Sequence, residues 1–213
     1  MTLLYHDIEK QIRDAVSILK QGGLVAYPTD TVYGLGACIA DIHAVERIFQ
    51  VKRRSKGMAL PILVADRAQI MEIVTAVPPI AERLIDEFFP GALTIILPKS
   101  DIVAKIISGG GRTIAFRIPD HPVPLALIKG LGKPIAGTSA NLSGYPSPLT
   151  ASEVRSQIGD EIDMIIDGGR CPGGVESTVV DLSGEKPVVR RRGAISIETL
   201  KKILPDIVSI EEE

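Results

Sequence analysis

Residues 22–36 read Gly-Gly-Leu-Val-Ala-Tyr-Pro-Thr-Asp-Thr-Val-Tyr-Gly-Leu-Gly, and their reading decides the architecture. Before them, Ile8, Ile12, Ala15, Val16 and Leu19 recur at helical spacing, so residues 7–21 are expected to form a helix that Gly22-Gly23 stops. Leu24 to Tyr27 then reads as a short buried strand, which Pro28 ends. Two hydroxyls, a carboxylate and a phenol follow directly, with Gly34 and Gly36 beside them. Polar side chains gathered at a strand end are where α/β sheets bind ligands. The same residues also suit a turn bonded to its own backbone. The loop lacks the Gly-Lys-Ser/Thr end of a Walker loop.

Working outward, the alternation of helix and strand continues. Asp41 is placed to cap a helix reaching Val51, and Leu60–Val64 has strand length. Helices are expected over Asp66–Val74 and Pro78–Phe89, then strands over Leu93–Leu97 and Thr113–Ile118. Pro122–Gly130 reads as helix, and Ile135-Ala136 as a strand running into a Ser/Asn/Gly loop. Thr150 caps a helix over 151–158. Strands are expected at Met164–Ile166, Thr178–Leu182 and Val188–Val189, and a last helix over Ser196–Ile203. Interleaved elements of this kind predict an α/β domain, and strand pairs with no helix between them predict a mixed sheet. No internal repeat or linker divides the chain, so one domain is expected over 1–213. The Glu211–Glu213 end reads as a solvated tail.

Composition narrows the function classes. At 213 residues the chain is long enough for one large core without staples. Its net charge of −2 excludes a general cationic coat for nucleic acid, so any polyanion site must be a local patch. Aromatic residues are only 4%, with no Trp, which argues against a base-stacking surface. Cys38 and Cys171 are too few for a thiolate metal site, and His6, His43 and His121 show no ligand spacing. Reduced thiols, the lack of a leader-like N-terminus and the lack of a long apolar run lead to a cytoplasmic expectation, with no membrane.

Six polar segments are candidates for chemistry. Beside 28–36 stands Lys52-Arg53-Arg54-Ser55-Lys56. If that stretch is extended, Lys52 and Arg54 point the same way, as a polyphosphate would require; a solvated basic run at a helix end is the plain alternative. Arg117 interrupts an apolar strand and needs an anionic partner, either Asp30 or another carboxylate of the chain, or a ligand. Ser139 and Asn141 alternate in the loop 137–144 and offer neutral hydrogen-bonding groups. Asp167-Gly168-Gly169 and the run 173–181 include a glycine-rich loop able to present N–H groups to an anion. Arg190-Arg191-Arg192 end a strand, as a surface patch or as a closure over phosphate. No Ser/His/Asp order or isolated carboxylate pair is present. The pattern suits adenylyl transfer, where positioning and charge stabilisation dominate.

Taken in order, these segments resemble the YrdC-like family, the threonylcarbamoyl-AMP synthases, over roughly residues 10–200. The resemblance is carried by PTDTVYGLG at 28–36, K-x-R at 52–54, AFRIPDHP at 115–122, S-x-N at 139–141, DGG at 167–169, GGVESTVVDL at 173–182, and Arg-x-Gly at 191–193. It implies an open, twisted mixed sheet flanked by helices, with a concave, positively charged cavity. It also implies the formation of threonylcarbamoyl-AMP and pyrophosphate from L-threonine, bicarbonate and ATP, with Mg2+, for threonylcarbamoyladenosine modification of tRNA by a downstream transferase complex. By position, Thr31, Arg117, Gly137 and Ser177 would hold threonine. Lys52, Arg54, Met58, Thr113, Ser139, Asn141, Ser147 and Arg191 would hold ATP, with Lys52 and Arg54 as the catalytic cations.

The chain departs from the family pattern at Met58-Ala59-Leu60, where Lys or Asn and then Pro-Leu is frequent, and at Leu63, where some relatives carry His. Its length resembles the single-domain form. Three rival readings share these residues. One is a double-stranded RNA or tRNA-binding module without catalysis. Another is an adenylating enzyme using a different carbamoyl donor, like the related domain of hydrogenase-maturation proteins. The third is a regulatory protein that keeps only the fold.

Overall fold

The computed structural model describes residues 2–209, so Glu211–Glu213 fall outside the described residues. Helix α1 (Thr2–Lys20) ends as its glycines require. Gly22 takes φ +81°, and the Gly23 N–H returns to the Ile18 carbonyl at 2.9 Å. Strands β1 (Val25–Tyr27) and β2 (Gly34–Cys38) follow, then α2 (Ile42–Val51), β3 (Ile62–Leu63), α3 (Arg67–Ile73) and α4 (Pro79–Phe88). The middle of the chain forms β4 (Leu93–Pro98), β5 (Thr113–Arg117), α5 (Pro122–Leu131) and β6 (Ile135–Ser139). The rest supplies α6 (Ala151–Ile158), β7 (Met164–Ile165), β8 (Thr178–Asp181), β9 (Val188–Arg191), α7 (Ile197–Lys201) and β10 (Val208–Ser209). The caps read at Asp41 and Thr150 are in place, their side chains accepting the N–H groups of Ala44 and Glu153, and Asp66, expected as the first helical residue, caps α3 by accepting the Gln69 N–H.

The strands form one sheet in the order β10-β9-β8-β4-β5-β3-β6-β2-β1-β7. Parallel pairs (β1/β7, β3/β5, β4/β8, β9/β10) mix with antiparallel ones, as expected. The main departure from the sequence reading is β2. Its two glycines read as loop, yet all five residues are buried strand. The glycines are there because Tyr27 lies across them. A Cβ at Gly34 would stand 2.9 Å from the Tyr27 ring, and one at Gly36 would stand 2.7 Å from its hydroxyl and 2.4 Å from Ile135. β6 also runs three residues further than expected, and the short β10 carried no sequence signal.

The two faces of the sheet are covered unequally. On one face, Ala26, Leu35, Ala136, Ile62, Phe116, Ile95 and Val180 form a continuous core with the apolar sides of α2, α3, α4 and α6. On the other, α1 and α5 cover only one end, where Val25, Tyr27, Cys38 and Ile135 meet Ala15, Leu19, Leu127 and Ile128. The remainder of this second face, toward β3, β5, β4 and β8, is where the polar residues gather. No helix of the described residues is long and apolar enough to cross a membrane.

Candidate active site

Side chains alternate across a strand, so register determines which residues share the open face. Gly34 pairs with Tyr27 and with Ser139, and Leu63 pairs with Arg117. These positions, with Thr94 of β4 and Ser177 just before β8, line a cavity of about 240 Å³. Thr29, Thr31, Arg54, Gly137, Glu176 and Arg191 complete its walls. Three arginines and one glutamate therefore converge on one concavity.

The floor is built by the turn 29–32. The Thr29 hydroxyl donates to the Val32 carbonyl at 2.7 Å and accepts the N–H groups of Thr31 and Val32. The turn that the sequence allows is thus present, and it also presents two functional groups. Arg117 donates from Nη1 to Thr31 Oγ1 at 2.9 Å, from Nε to the Gly91 carbonyl, and from Nη2 to Asp30 Oδ2 at 2.5 Å. Of the two partners open to Arg117, the structure supplies Asp30. The protein itself meets the strand arginine's need for an anion, so a ligand carboxylate would be a second anion on the same guanidinium. Burial lowers the Arg117 pKa, and the Asp30 carboxylate opposes that shift.

The K-x-R segment is not extended. Lys52 ends α2 in a helical conformation, Arg53 takes φ +51°, and the Arg54 N–H bonds the Phe49 carbonyl at 2.9 Å. This helix-ending turn takes the place of the extended stretch that was the condition for the two side chains to align. Arg54 lines the cavity, donating to the Ala59 carbonyl, with its Nε buried and unpartnered. Lys52, only 2% exposed, turns into the wall behind it. Its ammonium donates to the carbonyls of Ser139 and Asn141 and to Asn141 Oδ1, which also accepts from the Ser139 hydroxyl at 2.6 Å. Burial, together with the Arg54 charge, brings the Lys52 pKa down to about 8.

In the glycine-rich segments, two amides are bonded within the protein. The Gly169 N–H is taken by Asp167 and the Gly174 N–H by the Thr31 carbonyl, while Tyr33 donates to the Gly169 carbonyl at 2.8 Å. A Cβ on Gly173 would lie 2.5 Å from the Asp30 carbonyl oxygen. This loop is pressed onto the 29–32 turn, and those two amides are already bonded. Gly193 has a similar reason: its Cβ would meet the Glu176 carbonyl oxygen at 2.4 Å.

The triple arginine is divided. A bulge in β9 sets Arg191 opposite Val179 and Val189 opposite Val180. Arg190 pairs with Asp181 at 2.8 Å. Arg191 reaches the other way, donating to the carbonyl and hydroxyl of Ser177 and pairing with Glu176. Arg192 lies near Ser209.

Of the residues expected to hold threonine, Thr31, Arg117, Gly137 and Ser177 all line the cavity. Of those expected to hold ATP, Arg54, Ser139 and Arg191 do. Ser147 reaches its edge through a 2.6 Å hydrogen bond to Glu176. Lys52 and Asn141 stand behind the wall, Met58 is 52% exposed in the turn after Arg54, and Thr113 starts β5, on the same sheet face as Arg117 but at the strand's other end. Leu63, the departure from the family's His, does line the cavity. Sequence reasoning gave no role to Tyr27, Thr94 or Glu176. For Glu176 the signal was its place next to Ser177 in the run 173–181.

Residues 17–193 match the Sua5, YciO and YrdC family model, whose description reads "Telomere recombination". The chain belongs to this family. It is 44% identical over 199 residues to the threonylcarbamoyl-AMP synthase of Pyrococcus abyssi and 42% identical over 200 residues to that of Bacillus subtilis. Each match covers 93% of this chain and 58% of the relative, so the chain spans under two thirds of their length. The crystal structure of P. abyssi Sua5 complexed with L-threonine superposes with a TM-score of 0.91, at 44% identity, over 93% of this chain and 58% of that one. The family's open mixed α/β sheet is therefore the fold of this chain.

Proposed function

We propose that this chain is an L-threonylcarbamoyladenylate synthase, which forms threonylcarbamoyl-AMP and pyrophosphate from L-threonine, bicarbonate and ATP. The observation that carries this reading is the convergence of Arg54, Arg117 and Arg191 on one cavity with the hydroxyls of Thr31, Ser139 and Ser177. The names of the relatives and the threonine complex of one of them support it.

In this reading the threonine carboxylate sits on Arg117 and Thr31, near Gly137 and Ser177. The amine condenses with bicarbonate, losing water, to form a carbamate. A carbamate oxygen then attacks the α-phosphorus of ATP, a P–O bond forms, and pyrophosphate leaves with the electrons of the bond that breaks. Arg54 and Arg191 stabilise the charge building on the phosphates. Ser139 and Ser147 bond the nucleotide. Lys52 acts from behind the wall by holding the Ser139–Asn141 backbone in place, and Asn141 belongs to the same support. Thr113 and Met58 mark two directions along which the nucleotide extends. Magnesium enters with ATP as part of the substrate. Among the described residues no group of three His, Cys, Asp or Glu side chains could hold a resident ion.

The product would supply a transferase that modifies adenosine in tRNA, in the cytoplasm. The RNA-binding reading is the weaker one, because the relatives are named as synthases and Glu176 puts a carboxylate on the cavity wall. The deciding experiment is pyrophosphate release with ATP and Mg2+, omitting L-threonine or bicarbonate in turn. Release that needs both, with an adenylate of matching mass, is the expected result. Release needing neither, or salt-sensitive tRNA binding with no turnover, would overturn the proposal.

A further inference from the structure

Tyr27 is a fully buried residue whose hydroxyl has no hydrogen-bond partner, although the residue lines the cavity. The ring is clamped at the end of β1 against Gly34 and Gly36, and the hydroxyl points toward Gly137, where a Cβ would approach it to 3.1 Å. Two strands thus carry glycine where this phenol lies. A buried hydroxyl without a partner costs its full desolvation, and phenylalanine would fill almost the same space without that cost. Folding alone does not account for the oxygen. Burial raises the phenol's pKa and the Arg117 charge only partly offsets it, so at neutral pH the group is a hydrogen-bond donor. A donor close to a guanidinium suits an anionic oxygen.

We propose that Tyr27 is a further substrate-binding residue, its hydroxyl donating a hydrogen bond to the carboxylate of the amino acid held at Arg117. This rests on the reading of the cavity as a threonine site. Arg117 and Tyr27 then grip the carboxylate from two sides, and the Leu63 side chain leaves the phenol as a polar group on that stretch of wall.

The test is Tyr27→Phe, with L-threonine affinity measured by calorimetry without ATP and the unfolding midpoint measured in urea without ligand. A hydrogen bond to a charged acceptor corresponds to about a 10- to 100-fold rise in Kd. The midpoint should hold or rise, because the variant no longer buries an unpaired hydroxyl. L-2-aminobutyrate keeps the carboxylate but lacks the side-chain hydroxyl, so its Kd should rise by the same factor. Unchanged threonine affinity would overturn the inference, as would weaker binding accompanied by a fall in the midpoint, which marks a packing role. A loss confined to threonine and absent for 2-aminobutyrate would also overturn it. Failure of the unmodified protein to bind L-threonine would instead overturn the reading of the cavity itself.

Discussion

The Arg117 guanidinium and the Asp30 carboxylate stand 2.5 Å apart, with side chains only 8% and 15% exposed. Removing one member of a buried pair leaves the other as an uncompensated charge, at a cost of about 3–5 kcal/mol. Asp30→Asn should therefore lower the free energy of unfolding in urea by about 3 kcal/mol. The Asp30→Asn/Arg117→Ala double variant should cost much less than the sum of the two single changes. Additive costs would mean that the pair contributes nothing as a pair.

Lys52 gives a second prediction, because its ammonium bonds three acceptors inside the wall. Lys52→Met keeps the apolar stem but takes the ammonium donor away from two carbonyls and from an amide oxygen that then keeps only the Ser139 hydroxyl. The expected loss is about 3 kcal/mol of stability, with reduced pyrophosphate release. A variant as stable as the parent that still lost activity would place Lys52 on the nucleotide rather than behind the wall.

Much of this could be read from residues alone, for reasons that differ element by element. Helices α2 and α6 were readable because Asp41 and Thr150 are local caps ahead of periodic apolar residues. β2 was not, because its glycines answer to a ring on a neighbouring strand, a non-local cause. The cavity residues fell inside dense polar segments, and strand alternation carried Arg117. What adjacency in sequence could not tell was direction. Arg54 follows a left-handed residue rather than an extended stretch, and Arg190 and Arg191 part at a bulge, both decided by backbone geometry. Tyr27 reads as an ordinary strand residue until the register shows which face its oxygen serves.

That division of the arginines can be tested directly. Arg190 is 48% exposed and paired with Asp181, a partly solvated pair in the class that contributes about 1 kcal/mol or less. Arg190→Ala should cost about that much stability and leave turnover near that of the parent. Arg191→Ala removes the guanidinium that bonds Ser177 and pairs with Glu176, and should weaken ATP binding at least tenfold, more than it weakens threonine binding. Equal effects of the two substitutions would return the three arginines to a common surface patch.

His121 supplies a pH dependence with a definite sign. It precedes α5, and its Nδ1 accepts the Val123 N–H at 3.2 Å, so the cap requires the unprotonated ring nitrogen. Burial lowers its pKa below the ordinary 6.5, with Asp30 and Asp120 opposing. A folded-state pKa lying below the unfolded one means that the unfolded chain binds the proton first. The stabilisation is then complete above about pH 6.5 and is lost as pH falls through the folded-state value. Urea unfolding at pH 7.5 and 5.5 should show this loss in the parent. His121→Asn, which can cap without titrating in this range, should show a smaller loss between the two pH values. Parallel losses in both proteins would assign the pH dependence to other groups and leave His121 with a cap that does not titrate.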